Sequence, residues 1–224
     1  MDLRFSCFWL PKAGHTVQEY EDAYAGPAKQ GHTFRLAIAD GATESAYARE
    51  WAMALTEAFV IGEEQWLEHA RMRWQQKTKR ETPERWYLTL KKQTGAYATF
   101  LGIEMSPQGT LKACAVGDSC LLHYRADRLI KSWPLEHAEA FSHQPVLLNS
   151  TDNSNVVWQH LELHGHTGDV FVLATDALAQ WLLRIQSWPN WLVSREQFEH
   201  AIQQGRTTGR LRNDDVTCLI IECL

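Results

Sequence analysis

Four apolar runs in this sequence border on carboxylates. Leu36-Ala37-Ile38-Ala39 runs into Asp40-Gly41, Ala113-Cys114-Ala115-Val116 into Gly117-Asp118, and Phe171-Val172-Leu173-Ala174-Thr175 into Asp176. Asp214-Asp215 stands directly ahead of a last apolar run, Val216 to Ile221, and an acidic pair, Glu21-Asp22, precedes them all. One such Asp alone is turn chemistry, because Asp-Gly accepts backbone angles that other residues resist. The set has a different meaning. Carboxylates gathered at the ends of packed strands repel one another, and each is driven towards its neutral form unless a cation sits among them. Hard oxygen donors without an accompanying Cys or His set favour magnesium or manganese over zinc.

The elements that must position these groups alternate between strand and helix patterns. Leu3 to Leu10 is rich in aromatics and ends at Pro11, which reads as a first strand leading into a Gly14-His15 turn. Gly26-Pro27 and Gln30-Gly31 punctuate a hairpin ahead of Phe34 to Ala39. After Asp40, Thr43 or Ser45 is the expected cap of a helix whose apolar face uses Tyr47, Trp51, Leu55, Ala58 and Phe59. That pattern continues past Gly62 through Trp66 and Leu67 into a locally basic stretch, 71–80, read as a solvated helix face and loop. Thr82-Pro83-Glu84 reads as another helix start, carrying Trp86, Tyr87 and Leu90. Ala96 to Met105 and Leu111 to Tyr124 form a meander turned at Pro107-Gln108-Gly109, with Gly117-Asp118 interrupting its second half. Between 131 and 160 the regular pattern fails and a mobile excursion is expected. Ala177 to Gln186 reads as helix, and Ser194-Arg195-Glu196-Gln197 as a capping box for a helix ending near Gly205. His164-Gly165-His166 reads as a turn rather than a metal site. These patterns predict an α+β fold, two antiparallel β-sheets packed face to face with helices outside, in one domain spanning 1–224.

Composition narrows the class. A net charge of −5 gives no global basic field for nucleic acid or an anionic membrane surface. No run of apolar residues is long enough to span a bilayer, and the first residues do not read as a secretory signal, so a cytoplasmic location is expected. The five cysteines are odd in number, lack paired spacing and fall mostly in apolar runs, as small buried residues do.

The ordered set Glu21-Asp22, Ala39-Asp40-Gly41, Val116-Gly117-Asp118-Ser119, Ala174-Thr175-Asp176 and Asp214-Asp215-Val216-Thr217 resembles the metal-dependent protein phosphatases of type 2C, closest to a divergent bacterial branch. The resemblance covers nearly the whole chain. It implies an α/β/β/α sandwich and hydrolysis of phosphoserine or phosphothreonine esters by a water bridging two divalent ions. It implies that Asp40 bridges the two ions, that the Gly41 carbonyl completes one of them, and that Asp176 and Asp214 hold the other. Asp22, with Glu21 as a second-shell neighbour, would orient metal-bound water. Asp118 with Asp176 would support a third ion, so two or three Mn2+ or Mg2+ ions are expected. Asp215 is expected to point outward or to support the ligands from behind. The excursion at 131–160 takes the place of the family's flap, and a phosphoprotein is the implied substrate, with a paired protein kinase as a candidate partner.

Four positions depart from the family pattern: Val17 stands where many members have a phosphate-binding Arg, Ala42 where eukaryotic members have a His, Cys120 where an Arg often follows, and Ala177 in place of a Gly. The replacement phosphate ligand is expected to be Arg212, with His15 as the second candidate, since guanidinium donates paired hydrogen bonds to phosphate and stays charged at every working pH. The alternative is a pseudophosphatase, a scaffold that binds a kinase or signalling partner without useful turnover.

Overall fold

The computed structural model describes residues 1–62, 64–80, 94–142, 144–152 and 156–224. Ten strands form two five-stranded antiparallel sheets. The first has the order β1 (Leu3–Leu10), β12 (Val216–Cys223), β11 (Asp169–Ala174), β7 (Cys120–Arg125), β8 (Arg128–Trp133). The second runs β10 (Gln159–His164), β6 (Thr110–Val116), β5 (Phe100–Met105), β3 (Thr33–Ala39), β2 (Ala23–Gln30), and a short pair, β4 (Tyr97–Ala98) with β9 (Leu148–Asn149), stands beside it. Helices α1 (Ala48–Ile61) and α2 (Trp66–Arg80) pack outside the second sheet, whereas α3 (Asp176–Ile185) and α4 (Arg195–Thr207) cover the first.

The period of two along each strand divides the side chains between three apolar layers. On β3, Leu36 and Ile38 enter the layer between the sheets, while Ala37 and Ala39 face α1. On β12, Leu219 and Ile221 enter the same middle layer, while Val216, Cys218 and Ile220 face α3 and α4. Alanines on the α1 side let that helix approach closely. Gly102 on β5 serves the same end, since a Cβ there would lie 2.7 Å from the Phe59 ring. All five cysteines are free thiols, three of them buried. No helix among the described residues is long and apolar enough to cross a membrane.

Local readings need correction at several points. Neither Thr43 nor Ser45 caps α1, whose N-cap is Tyr47 in a left-handed conformation (φ 61°) without a side-chain cap bond. The two hydroxyls serve the preceding loop instead: Thr43 Oγ1 donates to Glu21 Oε2 (2.6 Å) and Ser45 Oγ to the Ala42 carbonyl (2.8 Å). The apolar pattern crossing Gly62 is two helices, because Gly62 ends α1 in the left-handed region (φ 80°). Ser194 does cap α4, its Oγ accepting from the Gln197 N–H (3.3 Å), though that helix runs two residues beyond Gly205. The excursion at 131–160 is tied down where it is described. Leu148 and Ser150 are buried, Ser150 Oγ accepts from the Ala96 N–H (2.9 Å), and the Ala138 carbonyl accepts from Gln180 of α3 (2.9 Å). The helix start at 82–84 lies outside the described residues.

Candidate metal centre

Strand register brings the acidic segments to one end of the sandwich. Ala23 pairs with Ala39, so Asp22 and Asp40, one residue beyond each, are neighbours at the end of the β2–β3 hairpin. Ala174 pairs with both Cys120 and Cys218, which places Asp118, Asp176 and the segment 214–217 around the same end of the first sheet. Gly117-Asp118-Ser119 is the crossing from β6 in one sheet to β7 in the other. Gly117 sits at φ 100°, and a Cβ there would meet Thr99 at 2.7 Å.

Asp22 is buried, and its Oδ2 accepts from Thr217 Oγ1 (2.6 Å) and Thr175 Oγ1 (3.0 Å). The Thr217 hydroxyl in turn pairs with the Tyr20 hydroxyl. Asp40 is held through its backbone: its N–H donates to Thr99 Oγ1 (3.2 Å), and its carbonyl accepts from the Thr99 N–H (2.9 Å). Gly41 bridges to Ala98, and a Cβ at that position would lie 2.8 Å from the Glu21 carbonyl. Asp118 is buried, and neither of its carboxylate oxygens has a hydrogen-bond partner. Asp176 opens α3, its Oδ1 taking the Ala177 N–H.

Arg212 meets two of these carboxylates. Its Nη2 pairs with Asp176 Oδ2 and lies 3.0 Å from Asp214 Oδ2. His15 takes no part, since its imidazole faces Glu19 at 4.0 Å. Asp215 is not an outward residue. It is buried, with Oδ1 accepting from the Lys12 N–H (2.8 Å) and Oδ2 from the Glu21 N–H (2.7 Å), so it pins the loop that carries Glu21 and Asp22. Glu21 itself turns to Thr43 and, at 3.9 Å, to Lys12.

Electrostatics register the crowding. Burial, then the charges of Asp22, Asp176, Asp214 and Asp118, push the Asp40 carboxyl well above its ordinary range. Burial also raises Asp22, with Asp215 and Asp176 adding to it against the two threonine hydroxyls. Burial and then Asp176 push Asp118 up to about 7. Asp176 is raised by burial in spite of Arg212. As placed, no three His, Cys, Asp or Glu side chains among the described residues close on a common point, and the cation that meets two carboxylates is Arg212. The donor chemistry nevertheless fits a hard divalent ion. The donors are carboxylate oxygens, they destabilise one another's charged forms, and Asp118 offers two buried oxygens with no partner.

Sequence reading missed the supports. Thr175 and Thr217 lie inside the strand-end acidic motifs, where a hydroxyl is a natural partner for the nearest buried carboxylate. Arg206 had no signal at all, being one charge on an amphipathic helix. Its guanidinium donates to the Asp214 carbonyl (2.6 Å) and the Pro11 carbonyl (2.9 Å), joining α4 to two loops of the centre. A cleft of about 320 Å³ opens beside Asp118, walled by Leu135, Pro145, Val146 and Val157 from the 131–160 excursion and its flank.

The family model for protein phosphatase 2C matches residues 15–216, from the turn before the acidic pair to the start of β12. The chain belongs to the protein phosphatase 2C family. Its fold is similar to those of two solved serine/threonine phosphatases: PstP of Mycobacterium tuberculosis (15% identity, 98% of each chain, TM-score 0.64) and Stp1 of Staphylococcus aureus (13% identity, 99% of this chain and 95% of that one, TM-score 0.70). RsbX, solved in complex with magnesium, is 18% identical over 99% of this chain and 96% of its own, with a TM-score of 0.57. A search of curated proteins returned no match. The α/β/β/α sandwich and the type 2C assignment both hold, and a solved PstP catalytic domain of similar fold carries two manganese ions.

Proposed function

We propose that this protein phosphatase 2C family member removes phosphate from phosphoserine and phosphothreonine side chains of a protein substrate in the cytoplasm, with two or three Mn2+ or Mg2+ ions held at the acidic end of the sandwich. The observation that carries the reading is the convergence of Asp22, Asp40, Asp118, Asp176 and Asp214 on one end of the fold from separate segments, where burial and then the charges of the other four raise the Asp40 carboxyl. Asp40, Asp176 and Asp214, with the Gly41 carbonyl, are the residues that would hold two ions, and Asp118 a third. Divalent ions bound there would lower the pKa of a nucleophilic water and offer positive charge to the phosphoryl oxygens.

The chain's own part is orientation. Thr175 and Thr217 hold Asp22 Oδ2, and Asp215 holds the Glu21 N–H, so the acidic pair keeps one position while its neighbours change charge. Arg212, exposed over two-fifths of its side chain, is the cation within reach of an incoming phosphate. His15, whose imidazole lies 4.0 Å from Glu19, is the second candidate.

The test is phosphate release from a phosphoserine peptide across a manganese series. Asp40→Asn is expected to remove most turnover while circular dichroism stays unchanged, and excess chelator to do the same to the parent protein. The pseudophosphatase reading draws support from Val17, Ala42, Cys120 and Ala177, and from the cation seated on Asp176 and Asp214. Absence of manganese-dependent hydrolysis of an aryl phosphate, with partner binding retained, would establish it. A paired kinase is the partner class we would seek first.

A further inference from the structure

Arg212 lies where its position has a cost. One nitrogen, Nη2, reaches both Asp176 Oδ2 and Asp214 Oδ2, so the oxygens by which that pair would hold an ion are already neutralised by a side chain of the same molecule. The second oxygen of each is occupied elsewhere, Asp176 Oδ1 by the Ala177 N–H and Asp214 Oδ1 by the Asp215 N–H (3.0 Å). The Arg212 backbone is fixed on both sides. Leu211 is buried, with its N–H on the Gly205 carbonyl (3.1 Å), and the Arg212 carbonyl accepts from the Asp214 N–H (3.0 Å). Arg206 clamps the same turn by donating to the Asp214 carbonyl (2.6 Å). Of this arrangement the Arg212 side chain, 42% exposed, is the part that the backbone hydrogen bonds do not fix.

We propose that Arg212 is an internal counter-ion that competes with a divalent cation for Asp176 and Asp214 and is drawn off the pair by the substrate's phosphate, so that metal and phosphate bind with positive coupling. The proposal rests on the metal-centre reading above. A guanidinium cannot share two carboxylate oxygens with a dication at contact distance, because the like charges repel strongly in a site partly shielded from water. An anion arriving at the mouth offers the guanidinium an equivalent partner, with two parallel hydrogen bonds. Whatever favours the outward rotamer then favours the ion, and linkage requires the converse. The pair would stay filled by Arg212 when substrate is absent, and apo carboxylate repulsion would be partly relieved by it.

Calorimetric titration with Mn2+ tests this without reference to turnover, using the parent chain, Arg212→Gln and, as a control for long-range charge, Arg210→Gln, whose side chain bonds Thr208 instead. Loss of a charge-assisted pair should tighten Mn2+ binding by roughly tenfold in Arg212→Gln and leave Arg210→Gln close to the parent. Sulfate, as a tetrahedral dianion probe, should tighten Mn2+ binding to the parent chain and have no such effect on Arg212→Gln. Without metal, Arg212→Gln should melt below the parent. Equal Mn2+ affinity in the parent and Arg212→Gln, weaker affinity in Arg212→Gln, or equal tightening in both Gln variants would overturn the proposal and leave the metal centre standing. Failure of all three proteins to bind Mn2+ would overturn the metal centre as well.

Discussion

Asp215 carries two backbone N–H groups, those of Lys12 and Glu21, from a loop about two hundred residues earlier in the chain. Removing its carboxylate would leave both donors shielded from water without a partner. Asp215→Ala is therefore expected to lower stability by roughly 2–4 kcal/mol, and Asp215→Asn by less, since its amide keeps one acceptor oxygen; urea unfolding measures both. A change within 0.5 kcal/mol for the alanine variant would mean that the loop is held by other contacts. At this scale the sequence was legible in its acidic members and opaque in their wiring. Asp40, Asp118 and Asp176 stand at the ends of apolar runs and Asp214-Asp215 ahead of one, whereas Asp22 and the role of each came from the family resemblance. For Asp215 an outward and a supporting placement both stayed open, because adjacent residues in an irregular turn have no fixed periodicity to assign them to a face.

At the scale of elements, Gly41 joins three segments: the Glu21 loop, the end of β3 and the start of α1. A Cβ there would stand 2.8 Å from the Glu21 carbonyl and 3.0 Å from the Ala48 backbone, with no flexible side chain to yield. Gly41→Ala should push α1 and the acidic loop apart, lowering the melting temperature and Mn2+ affinity together, whereas Gly168→Ala, strained by its own φ of 89° but at the opposite end of the first sheet, should lower the melting temperature and leave Mn2+ affinity alone. Strands and helices with strong periodicity were readable, including β12 from Val216 to Ile221, two residues short of its end, and the Ser194 cap. The start of α1 was not. Thr43 and Ser45 have the chemistry of caps, but their hydroxyls were claimed by Glu21 and the Ala42 carbonyl, a competition decided by tertiary contacts that local sequence does not record. The 131–160 excursion misled for the opposite reason. Its irregular, proline-broken pattern signals a loop, while its burial of Leu148 and Ser150 depends on partners far along the chain.

Across the whole molecule, the raised carboxylates set a direction for stability against pH. Asp118 binds its proton up to about pH 7 in the fold, and Asp22 and Asp40 are shifted the same way, whereas in the unfolded chain carboxyls release theirs near pH 4. The folded state thus holds more protons between these limits, and metal-free protein should lose stability as pH rises from about 4 to about 7. At the opposite end of the first sheet Asp169 acts in the reverse sense. Burial opposes its charge, but Arg125, the His166 N–H and His123 outweigh that and hold it below the usual carboxylate range, so its contribution is present above about pH 4 and fades in stronger acid. Millimolar Mn2+ should cancel the decline towards neutral pH by binding the ionised centre. Melting curves at pH 5 and pH 7.5, with and without Mn2+, check the sign; a metal-free protein more stable at pH 7.5 would count against a crowded centre.

The sheet order has a further consequence, for biosynthesis. β12 lies between β1 and β11, pairing Leu10 with Val216 on one side and Ala174 with Cys218 on the other. A ribosome therefore releases β1 first and leaves it without a neighbour until β12 emerges, by which time every other strand of both sheets has been made. Until then the nascent first sheet has a strand-wide slot, its open edges are templates for wrong pairing, and Asp22 lacks the Thr217 hydroxyl. Arrested chains that expose residues only through Thr207 should be cut rapidly by protease in the first sheet and should bind no Mn2+, while chains exposing Cys223 should resist and bind. A growing polypeptide organised in this way would complete the proposed metal centre in a single late event, when the strand carrying Thr217 enters its slot.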